Sequence, residues 1–255
     1  MKVIMDSFLI NTIKEAGTIA LDYFDQLAEI KIKKKGDRDL VTVADVKVES
    51  FIRKKLLGKY PKHSFYGEES GIQEGSASRW IVDPIDGTHS FVRGQYYWSI
   101  SIALEIEHEL QMGAVYAPRL NDLYFAKKGE GAFKNDSKII TSNIDQLREA
   151  MVSTGFACLR SSLEKNNLER FSRIAENTMG QRRFGSAAMD LCMVADGQVD
   201  AFWEQHLNLY DIAAGVLIVK EAGGSITDFT GEKIINPEAV LATNSKLLDE
   251  ILAYM

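Results

Sequence analysis

Cysteine is almost missing from this 255-residue chain: only Cys158 and Cys192 occur. Both lie in apolar sequence and neither falls in a metal-ligand spacing. No disulfide framework is expected, and buried free thiols suit a reducing cytoplasm. Long apolar runs are missing too. No stretch reaches the roughly 18 residues that a membrane-spanning helix needs, so no membrane partner is expected. The opening Met1-Lys2-Val3-Ile4-Met5-Asp6 lacks the basic region, apolar block and cleavage site of a signal peptide. A cytoplasmic location is the expectation. Basic charge does not dominate: 30 Lys plus Arg stand against 36 Asp plus Glu, a net charge of −6. That balance argues against general nucleic-acid binding. A phosphorylated substrate would need metal ions or a local basic patch to offset repulsion. Repeats, low-complexity tracts and flexible linkers are absent as well, which favours one mixed α and β unit.

The periodicities fill in that unit. Helical spacing runs from Asp6 to Leu27 through Phe8, Leu9, Ile13, Ala16, Ile19, Ala20 and Tyr23. The stretch Lys31 to Gly36 reads as an exposed strand and turn. A second helix is predicted from Val43 to Lys59, with Pro61 ending it. Ser64 to Gly67, Trp80 to Val82, Trp98 to Leu104 and Met112 to Ala117 read as strands. Leu123 to Lys127 and Gly131 to Lys134 read as a hairpin near a sheet edge. In the second half, strands are predicted at Ala150 to Ser153, Val199 to Trp203, Ser225 to Phe229 and Val240 to Ala242. Helices are predicted at Leu163 to Glu176, Ala187 to Ala195 and Asp211 to Ala222, with a last one from Ser245. The whole chain, 1–255, reads as a single domain, with a soft division near 135–141.

Asp83-Pro84-Ile85-Asp86-Gly87-Thr88 is the most informative segment. It follows the apolar run Trp80-Ile81-Val82. Two carboxylates three residues apart, stiffened by a proline, make a cluster of hard oxygen ligands. Gly87 permits a sharp turn and close approach of a ligand to its N–H. Thr88 supplies a hydroxyl where a helix could begin. Such a site suits Mg²⁺, which favours carboxylates, carbonyls and substrate phosphates. Packing alone explains this segment poorly.

Three further acids attract attention: Glu68 in Gly67-Glu68-Glu69-Ser70, Asp211 in Tyr210-Asp211-Ile212-Ala213-Ala214-Gly215, and Asp45. Each has a plain structural account. Thr42 and Asp45 have the spacing of a capping box. Asp211 fits an acid favoured by a helix dipole. Glu68-Glu69 fits a solvated turn.

Taken together, these segments resemble the inositol monophosphatase family. Gly67 to Ser70, Trp80 to Thr88 and Tyr210 to Gly215 are similar to its three signatures, in the family order. Asp39 to Asp45, Gly113 to Phe133, Gly185 to Ala188 and Glu221 to Gly224 extend the likeness over nearly the whole chain. The resemblance implies a layered αβαβα sandwich (an α/β, or α+β, fold) shared with fructose-1,6-bisphosphatases. It implies Mg²⁺-dependent hydrolysis of a phosphate monoester, usually by a homodimer and often with lithium sensitivity. Carried over by position, Glu68, Asp83 and the Ile85 carbonyl would hold one Mg²⁺. Asp83, Asp86 and Asp211 would hold a second, and a third could bind weakly near Glu68. Thr88 and Asp45 would orient the attacking water, and the Gly87 and Thr88 N–H groups would hold phosphate.

For the substrate's alcohol, the resemblance points to Glu204, Ser186 and Ala187, which implies a small phosphorylated polyol. By the residues alone, Glu204 is a surface acid at a strand end. Arg182-Arg183 could meet a second phosphate or form solvated salt bridges. Lys34 matches an active-site lysine by register or belongs to an exposed basic edge. Tyr210 stands in place of the family's usual tryptophan, and His89-Ser90 in place of a small or amide pair. His63, His108 and His206 have no metal-like spacing and read as surface residues. Histidinol phosphate, a sugar bisphosphate and a 3′-phosphoadenosine nucleotide are the neighbouring substrate readings. A protein-binding role toward the transcription machinery is the reading of another class.

Overall fold

Two helices, Ala187–Ala195 and Leu209–Glu221, each carry a long mostly apolar run, 187–192 and 212–219, that is buried at every position. A helix of that kind must be covered all round, and the architecture does so by placing both between two sheets. The computed structural model describes residues 2–29, 32–36, 39–160, 166–233 and 235–255, with the backbone alone described at 2–4, 29, 32–36, 39–40 and 160.

In chain order, α1 (Lys2–Phe24) leads through the strand pair β1 (Ile32–Gly36) and β2 (Asp39–Thr42) into α2 (Val43–Lys59). The first large sheet comprises β3 (Ser64–Gly67), β4 (Gly71–Gln73), β5 (Ser78–Asp86), β6 (Ser99–Ile106), β7 (Glu109–Ala117), β8 (Asp122–Lys127), β9 (Gly131–Lys134) and β10 (Ser137–Ile139). The short α3 (Thr88–Val92) interrupts it after β5. The second sheet holds β11 (Met151–Thr154), β12 (Gly180–Arg182), β13 (Ala201–Glu204), β14 (Ser225–Thr227) and β15 (Val240–Thr243). Around its strands run α4 (Ala157–Arg160), α5 (Leu168–Ala175), α6 (Ala187–Ala195), α7 (Leu209–Glu221) and α8 (Leu248–Leu252).

Strand order is β10-β9-β8-β7-β6-β5-β3-β4 in the first sheet and β12-β11-β13-β15-β14 in the second. The first is antiparallel except for the β3–β5 pair. In the second, β11 runs parallel to both β12 and β13. One core lies between α1, α2 and the first sheet, with Leu9, Ile13, Val48, Ile52, Trp80 and Ile102 buried in it. A second fills the middle layer, where α6 and α7 meet both sheets. A third packs Leu147, Ile174, Leu247 and Ile251 on the outer face of the second sheet. The layers are therefore helix, sheet, helix, sheet, helix.

Local signals set several boundaries. The Thr42 hydroxyl accepts from the N–H groups of Ala44 and Asp45 at 3.0 and 3.4 Å, and α2 starts at Val43 as predicted. Close packing of α7 depends on small residues: a Cβ on Gly113 would stand 2.9 Å from the Ala214 carbonyl oxygen, and one on Gly215 2.7 Å from Leu191 Cβ. One prediction fell short: β5 does not end at Val82 but continues through Pro84 to Asp86. The predicted helix at 163–176 is shorter, Leu168–Ala175, and residues 161–165 lie outside the described residues. Across 135–141, β10 still pairs with β9, and the chain passes to the second sheet beyond it.

Candidate active site

Two features of β5 create the acidic centre. First, β5 runs parallel to β3, with Gly67 opposite Val82. The Glu68 N–H donates to the Val82 carbonyl at 3.2 Å, which brings the Glu68 turn alongside Asp83. Second, Asp83 pairs with Ser101 of β6 and Asp86 with Ser99, so three steps on β5 oppose two on β6. Pro84 has no N–H for the ladder, and a bulge forms there. One extra residue corrects the alternation, so Asp83 and Asp86 serve the same side. Asp211 reaches them from the first turn of α7. Carboxylate oxygens of Asp83, Asp86 and Asp211 lie within 4.8 Å of one another.

Each acid is held in place. The Ile85 N–H donates to Asp83 Oδ1 at 3.0 Å. Asp86 Oδ2 accepts from Ser186 Oγ and from the Ala188 N–H, both at 2.7 Å. The Asn208 N–H donates to Asp211 Oδ2 at 2.6 Å, so Asp211 both caps α7 and faces the cluster. Glu49 of α2, buried and unnoticed in the sequence, accepts from the Glu69 and Ser70 N–H groups at 2.8 Å each. It thereby fixes the turn that carries Glu68. Its only sequence signal was an acid on the buried side of a helix.

Burial pushes the Asp83 carboxyl well above the ordinary carboxylate range, and Glu68, Asp86, Asp211 and Asp45 push it further. Asp211 moves the same way, through burial first and then Asp86. The groups pressing hardest on Asp83 are all carboxylates, so the cluster asks for positive charge from outside the chain. Its hard oxygen donors fit Mg²⁺.

Beside the cluster, Gly87 takes φ +91°, a conformation glycine adopts without strain, and starts α3. Thr88 Oγ1 lies 3.1 Å from the Ile85 carbonyl oxygen and 3.4 Å from Asp45 Oδ1. Asp45 Oδ2 meanwhile accepts from the Thr42 N–H at 2.8 Å and the Thr42 hydroxyl at 2.5 Å. Asp45 is therefore a capping residue and a partner of Thr88 at once. Burial raises its carboxyl to about 6, against the lowering effect of Thr42.

All of this opens on a cavity of about 390 Å³. The carboxylates with Gly87, Thr88 and His89 line one part, and Gly155, Ala157, Arg183, Ala187, Glu204, His206 and Glu238 are among the residues lining the rest. The Ala157 N–H donates to Glu204 Oε1 at 2.8 Å, and a Cβ on Gly155 would collide with that carboxylate. Glu204 is thus a buried wall of the cavity, not a surface acid. Ser186 does not line the cavity: it is buried behind Asp86 and caps α6. Arg183 reaches the wall; Arg182 does not and donates to the Gln181 carbonyl instead. The Lys34 side chain lies outside the described residues.

Of the three histidines read as surface residues, His63 is the most enclosed, and His206 is accessible from the cavity. His206 sits in the cavity wall, its Nδ1 3.2 Å from Glu238 Oε2. His63 is half-buried and stacks on Tyr60 at 5.0 Å. Only His108 is an exposed turn residue. Tyr210 packs edge-on against Tyr66 at 5.4 Å, filling the place beside Asp211.

Fold and site together define a layered αβαβα protein with a buried carboxylate centre at the junction of a sheet and a central helix. The chain matches the profile of the inositol monophosphatase family over residues 3–255 and belongs to that family. It is 38% identical over 245 residues to the inositol-1-monophosphatase of Caulobacter vibrioides, covering 94% of this chain and 95% of that one. It is also 38% identical over 242 residues to the putative Nus factor SuhB of Neisseria meningitidis serogroup B, covering 94% and 93%. Among solved structures, the extragenic suppressor protein suhB of Bartonella henselae superposes with a TM-score of 0.93 at 33% identity, covering 99% and 98%. No helix among the described residues is long and apolar enough to cross a membrane.

Proposed function

We propose that this protein hydrolyses a small phosphate monoester of a polyol, inositol monophosphate first among them, with Mg²⁺ as cofactor. The carrying observation is the trio Asp83, Asp86 and Asp211, the first two buried and the third half-buried, opening on the cavity beside Gly87 and Thr88. Glu68, Asp83, the Ile85 carbonyl, Asp86 and Asp211 are the groups that would hold two Mg²⁺ ions, with a weaker third near Glu68. When bound, such ions activate the attacking water and stabilise the leaving oxygen.

The chain's own groups supply the rest. The Thr88 hydroxyl has one proton to give, to Ile85 or to Asp45. Passing it to Asp45 Oδ1 lets Thr88 accept the proton of an attacking water, with Asp45 Oδ2 anchored by Thr42. The N–H groups of Gly87 and Thr88 head a helix turn and lack intrahelical acceptors, so they receive phosphate oxygens. Glu204 and the Ala187 wall meet the alcohol's hydroxyls. Water attacks directly, and no phosphoenzyme forms. Lithium inhibition, a homodimer and a cytoplasmic location accompany this reading.

Support also comes from SaIMPase-II, 31% identical over 97% of this chain, which was solved with inositol monophosphate bound. The test is phosphate release by purified protein from inositol 1-phosphate, histidinol phosphate, fructose 1,6-bisphosphate and 3′-phosphoadenosine 5′-phosphate, each with and without Mg²⁺ and Li⁺. Mg²⁺-dependent release led by the inositol ester supports the reading; release from none of them overturns it.

The SuhB-named relative matches as closely as the phosphatase-named one. That parity favours a second reading, binding to the transcription machinery. A pulldown with Asp83→Asn separates the two, because a binding role survives loss of turnover.

A further inference from the structure

His206 sits one step beyond a residue pointing the other way. β13 ends at Glu204, and the chain bends out of the strand at the next two residues. Gln205 turns inward, buried, where its Oε1 accepts from Arg170 Nη1 at 2.8 Å. Arg170 is itself fixed, its Nε donating to the Met255 carbonyl at 3.0 Å. Glu204 and His206, on either side of Gln205 in the chain, both line the cavity. His206 adopts φ +64°, a left-handed conformation that costs a non-glycine residue energy. Two backbone bonds hold it there: the His206 N–H donates to the Glu238 carbonyl at 3.3 Å, and the Leu207 N–H to that of Pro237 at 2.9 Å.

The ring is oriented as well. A carboxylate only accepts, so the 3.2 Å contact to Glu238 Oε2 puts the hydrogen on His206 Nδ1. In the neutral ring that leaves Nε2 as an acceptor. We propose that His206 is a specificity-determining residue: its Nε2 accepts from a hydroxyl of the leaving alcohol, alongside Glu204, and Glu238 positions the ring. The inference rests on the phosphomonoesterase reading and adds which alcohols are favoured. A polyol with a hydroxyl beyond the phosphate-bearing carbon gains a hydrogen bond that a plain aryl or alkyl ester lacks.

Kinetics on inositol monophosphate and on p-nitrophenyl phosphate test it, using the whole chain with Mg²⁺. His206→Gly removes the ring at a backbone angle that suits glycine, so its melting temperature should not fall. The ratio of kcat/KM for the inositol ester to that for the aryl ester should drop about tenfold, the order of one hydrogen bond, through KM and not kcat. Glu238→Gln, whose amide oxygen still accepts from Nδ1, should keep the ratio, and Glu238→Ala should lower it. An unchanged ratio in His206→Gly, or a fall carried by kcat alone, overturns the inference and leaves the reaction standing. A wild type that releases phosphate from neither ester overturns the reaction and the inference with it.

Discussion

Ser186 Oγ donates to Asp86 Oδ2 across 2.7 Å, joining residues a hundred positions apart in the chain. The same hydroxyl accepts from the Met189 N–H at 3.3 Å and so caps α6. One side chain thus ties the central helix layer to the acidic bulge of β5. Ser186→Ala should cost about 1 kcal/mol of stability through the lost cap, and it should weaken Mg²⁺ binding because Asp86 loses a donor. Ser186→Thr should retain both. Denaturant unfolding and calorimetric Mg²⁺ titration of the two variants check this.

Asp83 lies where four other carboxylates raise its pKa, on top of burial. Without metal, that repulsion destabilises the fold. Asp83→Asn should therefore melt higher than wild type in chelator, yet lose both turnover and the rise in melting temperature that Mg²⁺ gives wild type. A variant that melts lower in chelator would show that the cluster is not under electrostatic strain.

The acid range tests Asp45. Burial pushes its folded carboxyl up to about 6, from an ordinary carboxylate value of 3.8. Between those values the folded state keeps a proton that the unfolded state has lost. This group's contribution to stability is therefore highest below pH ~4 and falls as pH rises to ~6. The shift corresponds to about 3 kcal/mol at order of magnitude. Asp45→Asn should flatten the stability curve of the metal-free protein by that order between pH 4 and 7. Parallel curves for variant and wild type would contradict the assignment.

Glu49 holds the Glu69 and Ser70 N–H groups, and Gly67 leaves room for its carboxylate. Glu49→Ala leaves two N–H groups without their acceptor and should cost about 2–3 kcal/mol. It should also lower kcat/KM for the phosphate ester by loosening Glu68, whereas Glu49→Gln should keep part of both. Unfolding curves and steady-state kinetics on the three proteins decide it.

Residue patterns reveal what is local. The bounds of α2 were legible because Thr42, Asp45 and Pro61 act within a few residues of the helix ends. The bulge in β5 was not: Pro84 reads as a turn, and only pairing with β6 carries the strand on to Asp86. Convergence of Glu68 on Asp83 depends on the parallel β3–β5 register, a non-local pairing that no periodicity encodes. The family likeness supplied that link where the residues alone left Glu68 a solvated turn. β4, β10 and β12 have three residues each and bury none of them, so they carry no apolar pattern; β14, equally short, buries Ile226 and Thr227 and was legible. The place of His206 in the cavity wall was not legible either, because it is set by non-local backbone bonds to Pro237 and Glu238.

Anomalous diffraction from a crystal soaked in Mn²⁺, a heavier stand-in for Mg²⁺, tests the centre most directly. Peaks between Asp83, Asp86 and Asp211, one of them within ligand distance of Glu68 and the Ile85 carbonyl, are the expected result. A map with no peak among these carboxylates at saturating Mn²⁺ would contradict the account.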